Sequence, residues 1–224
     1  KTLFTLPDGA RIESVLMQYN KRQTLCISSQ AGCAMGCVFC ATGQMGFKRN
    51  LSAGEIVEQV LYLGRELAQS GGKVTNIVIM GMGEPFHNYD AVMAAIDRLN
   101  DPHGMNLGAR RFTISTVGII PGILKFAAEK RQVNLAISLH AANDTLRSSL
   151  IPVNRKYPLT ELMNACREYI SLTNRRLTFE WALIRDINDT ETHAHELAAL
   201  VKGLLCHVNV IPLNPTADYT GQAT

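Results

Sequence analysis

Two hydrophobic periods alternate along this chain. Short runs rich in Val, Ile, Leu and Thr, bounded by Gly, Asn or Pro, fall at 23–29, 75–80, 111–116, 133–139, 177–184 and 206–213, and each predicts a strand. Between them apolar positions recur every three or four residues over 52–69, 89–100, 121–130, 159–173 and 189–204, which predicts helices. The first helix is the clearest: Ile56, Val60, Leu63 and Leu67 share one face, and Ser52 with Glu55 forms a capping-box pair at its start. A further strand is predicted over 12–19, inside a hairpin-like lead-in formed by the first 22 residues.

Strand and helix alternate at about 30 residues per repeat, the length of a βαβ unit, so the class is α/β and the sheet parallel. Six such units fall short of the eight in a closed barrel. An open doubly wound sheet and a partial barrel both satisfy the periodicity, and in both the chemistry belongs at the C-terminal ends of the strands. With no internal repeat, low-complexity tract or Pro/Gly-rich linker, the expected organisation is a lead-in over 1–22 followed by one core domain over 23–224.

Composition narrows the function classes only partly. At 224 residues, 46% hydrophobic, the chain is too apolar for a disordered protein. Its longest apolar runs fall far short of the roughly 18 residues that cross a bilayer. A balance of 22 Lys+Arg against 19 Asp+Glu permits a nucleic-acid partner without announcing one. The basic pairs Lys48-Arg49, Arg110-Arg111, Arg155-Lys156 and Arg175-Arg176 could neutralise phosphates, although such pairs are usually solvated surface. The chain opens at Lys1 instead of a methionine, which predicts a fragment or processed form, and nothing in it looks like a signal peptide.

Six cysteines stand at 26, 33, 37, 40, 166 and 206. Their clustering near the N-terminal end, without export signals, argues for metal ligation over disulfides. Cys33, Cys37 and Cys40 form a C-x3-C-x2-C pattern directly after the first core strand, and Gly32, Gly36 and Gly43 favour a loop backbone there. A structural zinc site wants four protein ligands, whereas three close thiols suit a four-iron cluster with one iron left open for substrate. A zinc site completed by Cys26 or a histidine, and three ordinary buried cysteines, are the alternatives.

This cysteine loop resembles the signature of the radical S-adenosylmethionine (SAM) superfamily. The longer stretch from Cys26-Ile-Ser-Ser-Gln-Ala-Gly-Cys33 through Cys40-Ala-Thr-Gly and Gly46-Phe-Lys-Arg-Asn-Leu51 resembles the RlmN/Cfr family within it, a likeness that runs from about Glu13 to the end of the chain. The resemblance implies a partial (β/α)6 TIM-like barrel that binds a 4Fe-4S cluster through Cys33, Cys37 and Cys40. It also implies SAM as cofactor and methylation of an adenine carbon in RNA: C2 of an adenosine in 23S rRNA and in tRNA for RlmN-like enzymes, C8 for Cfr-like ones. The Gly83-Glu84-Pro85 form favours C2.

Several strand ends carry small polar or acidic residues. Glu84, after Met80-Gly81-Met82-Gly83, can accept hydrogen bonds from an ammonium group, and Ser115, Ser138-Leu139-His140 and Asn214 follow later strands. Each alone reads as an ordinary cap, and His140 alone as a structural histidine; together they put polar groups at one rim of the sheet. The resemblance implies that Gly83, Glu84, Ser115, Ser138, Leu139, His140 and Asn214 contact SAM. Glu13, by composition a solvated acid, is implied to be the base that takes the proton from the methylated adenine carbon. Also implied are a flavodoxin-like electron donor, a cytoplasmic location, a monomeric state and no membrane partner. The methyl-carrier cysteine of the family is expected beyond Thr224 and an accessory N-terminal domain before Lys1, so the chain alone is expected to be incompetent for methyl transfer. The rivals are another radical SAM enzyme acting on a small molecule or peptide, and a zinc-stabilised RNA-binding module without catalysis.

Overall fold

A computed structural model describes residues 1–224. In chain order its strands and α-helices are β1 (Thr2–Thr5), β2 (Arg11–Tyr19), β3 (Arg22–Cys26), β4 (Gln30–Gly32), a single turn α1 (Ala41–Gln44), β5 (Phe47–Asn50), α2 (Ala53–Gln69), β6 (Asn76–Ile79), α3 (Tyr89–Asn100), β7 (Phe112–Thr116), α4 (Ile120–Ala128), β8 (Asn134–Ser138), α5 (Asp144–Leu150), α6 (Leu159–Thr173), β9 (Leu177–Leu183), α7 (Glu191–Val201) and β10 (Cys206–Pro212). The strands and helices expected from the periodicity all form, with ends displaced by at most a few residues. Five elements were not expected: β1, β4, β5, α1 and α5.

The chain divides into two compact units, one of residues 1–34, 46–115 and 132–134, the other of residues 35–45, 116–131 and 135–224. In the first, β1, β2 and β3 are successive antiparallel neighbours, then β3, β6 and β7 run parallel. A separate antiparallel pair, β4 with β5, follows β3. Helix α2 begins as the sequence requires. Ser52 Oγ accepts from the Glu55 N–H at 3.2 Å while the Glu55 carboxylate accepts from the Ser52 N–H at 2.8 Å, so two otherwise orphaned donors of the first turn are satisfied. Its inner face buries Ile56, Val60, Leu63 and Leu67, and with them Gln59.

In the second unit β8, β9 and β10 are parallel neighbours, with Leu135, Ile137, Phe179 and Trp181 in the core. Helices α4 and α6 pack through stacked rings of Phe126 and Tyr169, 6.0 Å between centroids. Each unit thus contributes three parallel strands with helical connections, an α/β architecture. Helix α7 stops at Val201, short of the expected 204, because Gly203 turns the chain at φ +77°. No helix is long and apolar enough to cross a membrane.

Candidate functional site

Residues 33–40 form a loop of turns, as the glycines require. Cys33 is buried after β4, with its N–H donating to the Gly46 carbonyl at 2.9 Å, whereas Cys37 and Cys40 are half-buried. Gly43 lies against the Cys37 peptide so closely that a Cβ would stand 2.9 Å from the Cys37 carbonyl oxygen. The Val38 N–H donates to the Leu150 carbonyl at 3.1 Å, and the Phe39 ring meets the edge of His140 at 4.9 Å. Cys33 belongs to the first unit and Cys37 and Cys40 to the second. No three His, Cys, Asp or Glu side chains are grouped so as to hold a metal ion.

Metal ligation needs thiolates. Burial pushes the Cys26 thiol up to about 11 and the Cys166 thiol up to about 12, and Cys206 is raised for the same reason. Burial thus disfavours the thiolate at these three positions. The chemistry of the donor set accordingly fits a three-cysteine cluster at 33, 37 and 40 better than a zinc site completed by Cys26.

In the first unit the turn after β6 is built on the segment that follows β3. The Gly81 N–H donates to the Ile27 carbonyl, and the N–H groups of Ser29 and Gln30 both donate to the Met82 carbonyl. Gly83 has φ +103°, and a Cβ there would lie 2.8 Å from the Gln30 backbone nitrogen, so this glycine is fixed by conformation and contact together. Its missing side chain makes room for Gln30. Glu84 is 3% exposed; its Oε1 accepts from the Phe86 N–H at 3.0 Å, capping the short helix that follows, and its own N–H donates to Gln30 Oε1 at 2.8 Å.

Beneath this turn lies a neutral buried network. Gln59 Oε1 accepts from Ser14 Oγ at 2.7 Å and from the Ser28 N–H at 2.9 Å, and Gln59 Nε2 donates to the Ser28 carbonyl at 2.9 Å. Ser28 Oγ then donates to the Glu13 carbonyl at 2.6 Å and accepts from the Met82 N–H at 2.9 Å. One hydroxyl thereby joins the strand carrying Glu13 to the Gly81–Glu84 turn. The Glu13 side chain is 42% exposed and pairs with Lys1 Nζ at 2.8 Å. Ser115 is half-buried on β7.

In the second unit the organising group is Arg147 of α5, which is fully buried. Its Nε donates to the Leu139 carbonyl at 3.1 Å, one terminal nitrogen to the Val117 and Ser138 carbonyls at 2.7 and 3.2 Å, and the other to Asn154 Oδ1 at 2.7 Å. It therefore staples the strand ends that carry Ser138, Leu139 and His140 and the Ile114–Gly118 motif. Leu139 is buried, and its N–H donates to the Glu180 carbonyl at 3.0 Å. His140, at φ +57°, is also buried; its Nδ1 accepts from the Ala182 N–H at 2.9 Å, which fixes the neutral tautomer. Burial, helped by the Arg147 charge, lowers its pKa to about 3. Asn214 is exposed after β10.

Sequence reasoning missed Arg147, Asn154, Ser28 and Gln59 as buried polar residues. One basic pair carries an internal ion-pair network. Arg49 is occupied by carboxylates, with two nitrogens on Glu55 at 2.9 and 2.8 Å and its Nε on Asp8, so only Lys48 of that pair is available to a phosphate.

The sequence profile of the radical SAM superfamily matches residues 27–198. A dual-specificity RNA methyltransferase RlmN 1 of Myxococcus xanthus is 55% identical over 221 residues, covering 99% of this chain and 62% of that protein. A probable dual-specificity RNA methyltransferase RlmN of Chloroflexus aurantiacus is 55% identical over 96% of this chain and 60% of its own length. The crystal structure of a radical SAM methyltransferase from Sphaerobacter thermophilus superposes with a TM-score of 0.97 at 56% identity, over 99% of this chain and 65% of that one. The chain therefore spans about three-fifths of the length of the curated relatives it matches. A likeness at 12% identity to the hydrogenase maturase HydG, TM-score 0.65, reflects the fold alone. Profile, relatives and superposition agree with the cysteine loop and the parallel strands: the chain belongs to the radical SAM superfamily, whose cofactors are a 4Fe-4S cluster and S-adenosylmethionine.

Proposed function

We propose that this chain is the radical SAM core of an enzyme that methylates C2 of an adenosine in 23S rRNA and in tRNA. The observation that carries the reading is the 55% identity, over nearly the whole chain, to a protein named as a dual-specificity RNA methyltransferase. The choice of C2 over C8 rests on the Gly83-Glu84-Pro85 form of the strand-end turn. When bound, the cluster and SAM supply a one-electron route to a carbon radical, which is needed because an adenine C2 is too weakly nucleophilic to attack a sulfonium.

The chain's own residues take the following parts. Cys33, Cys37 and Cys40 donate thiolates to three irons. Gly83 and Glu84 hold the methionyl amine, with the turn kept in shape by Gln30 and Ser28 from behind. Ser115, Ser138, Leu139, His140 and Asn214 line the rest of the SAM site; Leu139 acts through its backbone, because its side chain is in the core. Glu13 accepts the proton released from the adenine carbon, and Lys1, now paired with it, has to give way when substrate enters. RNA is the partner, a flavodoxin-like protein the electron donor, and a monomer in the cytoplasm the working state.

Nucleoside mass spectrometry on rRNA and tRNA treated with the full-length reconstituted enzyme tests this reading. The expected product is 2-methyladenosine, and Glu13→Gln is expected to hold cluster and SAM yet stall with protein trapped on RNA. Formation of 8-methyladenosine, or normal turnover by Glu13→Gln, overturns the corresponding part.

A further inference from the structure

Arg147 presents an energetic problem that its hydrogen bonds do not solve. A guanidinium removed from water costs several kcal/mol unless an anion compensates it. Here all four of its acceptors are neutral: three backbone carbonyls and the Asn154 amide oxygen. Asp144 is not a direct partner; it spends one carboxylate oxygen on Asn154 Nδ2 and the Leu159 N–H, both at 2.8 Å.

Apart from the nearby Asp144, the surroundings indicate where a further anion belongs. The cysteine loop rests on the elements that Arg147 ties together. Val38 donates to Leu150, one helical turn beyond Arg147 on α5; Gly36 faces the Pro152 ring; and Phe39 packs on His140, next to the two carbonyls Arg147 holds. Burial pulls the guanidinium down to about 10, while the charges of neighbouring groups, Cys37 first and Asp144 next, pull it back up. It remains fully charged at neutral pH.

We propose that Arg147 is a positioning residue whose buried positive charge, beside the Cys37 loop, sets the reduction potential of the cluster bound there. A 4Fe-4S cluster gains one negative charge on reduction. A fixed cation in a medium of low dielectric stabilises the reduced form more than the oxidised one and so raises the potential. The inference rests on the assignment of Cys37 as a cluster ligand and is independent of which RNA carbon is methylated.

EPR-monitored redox titration of the full-length, anaerobically reconstituted enzyme, without SAM or RNA, tests it. Arg147→Gln removes the charge. The double variant Asp144→Asn with Asn154→Asp leaves Arg147 in place and moves a carboxylate onto it at constant net charge. In both, the ratio of reduced to oxidised cluster at a fixed potential is expected to fall about tenfold, ~59 mV for a one-electron couple, while Arg147→Lys stays near wild type. An unchanged midpoint in either variant with four irons bound overturns the proposal; where Arg147→Gln fails to take up iron, the double variant decides. A wild-type protein that takes up zinc and no iron overturns the ligand assignment instead, and this inference with it.

Discussion

The two units hold their strand ends by the same device in different electrical forms. In the first, Gln59 reaches under Ser28 and uses two donors and two lone pairs on neutral partners, so the network is closed. In the second, Arg147 reaches under Ser138 and Leu139 with a fork of charged donors on neutral partners, so the hydrogen bonds are satisfied and the charge is not. A closed neutral network needs nothing further from its surroundings. A buried cation with no anion among its direct partners does, and the unit that contains it also contains Cys37 and Cys40. The difference separates a purely structural support from one that expects an anionic ligand.

The largest expected effect concerns the thiols. Cys33→Ala, Cys37→Ala or Cys40→Ala should each abolish the brown colour and iron content of anaerobically purified protein, because a cluster held by three thiolates does not survive the loss of one. Cys166→Ala and Cys26→Ala, which remove thiols held protonated by burial, should keep about four irons. Loss of iron in Cys26→Ala would make that thiol a fourth ligand and revive the zinc-like geometry.

Next comes the cost of cutting each support in the apoprotein, read by denaturant unfolding. Gln59→Leu leaves the Ser28 N–H, the Ser28 carbonyl and the Ser14 hydroxyl without their partner, and should cost roughly 2 kcal/mol. Arg147→Met strands three carbonyls and the Asn154 amide oxygen, at a similar price per group, but also removes a buried charge that in the apoprotein has no anion among its direct partners and only Asp144 nearby. Its cost in the apoprotein should therefore stay below ~3 kcal/mol and grow when the cluster is present. Equal costs with and without cluster would erase the distinction between the two supports.

How much of this was legible in the sequence follows from the same contrast. The long helices and core strands were readable because their inward faces are apolar at regular spacing, and α2 announced its own start through Ser52 and Glu55. The cysteine loop was readable because its chemistry depends on spacing alone. Helix α5 was not, since a seven-residue helix whose inward positions are Arg147 and Leu150 shows no apolar stripe, and arginine is rarely fully buried. Its only local signal is Asn143, whose side chain caps the helix by accepting from the Leu146 N–H. Strand β4 was hidden because it is three buried residues ending at Gly32, and β5 because its four residues Phe47–Asn50 are mostly exposed and largely polar. Glu13 looked like a surface acid, and its half-exposed, ion-paired side chain is compatible with that; its proposed role rests on family likeness.

The smallest expected effect is a pH dependence confined to the second unit. His140 is neutral in the folded state, with its pKa lowered by burial and by the Arg147 charge from the ordinary histidine value of 6.5 to about 3. A base whose pKa is depressed on folding binds more protons when unfolded, so its contribution to stability is complete above about 6.5 and is lost as pH falls from there toward 3. Over that window the apoprotein should lose up to ~1.4 kcal/mol of unfolding free energy per pH unit, the limit for one proton taken up on unfolding. His140→Gln, which can still accept from the Ala182 N–H, should flatten the slope between pH 6 and 4 at ~25 °C, while Gln59→Leu in the first unit, which titrates nothing, should leave it unchanged. A slope unaltered by His140→Gln would mean that the imidazole is already protonated when folded, and that the cation at Arg147 is not felt at the strand ends it holds.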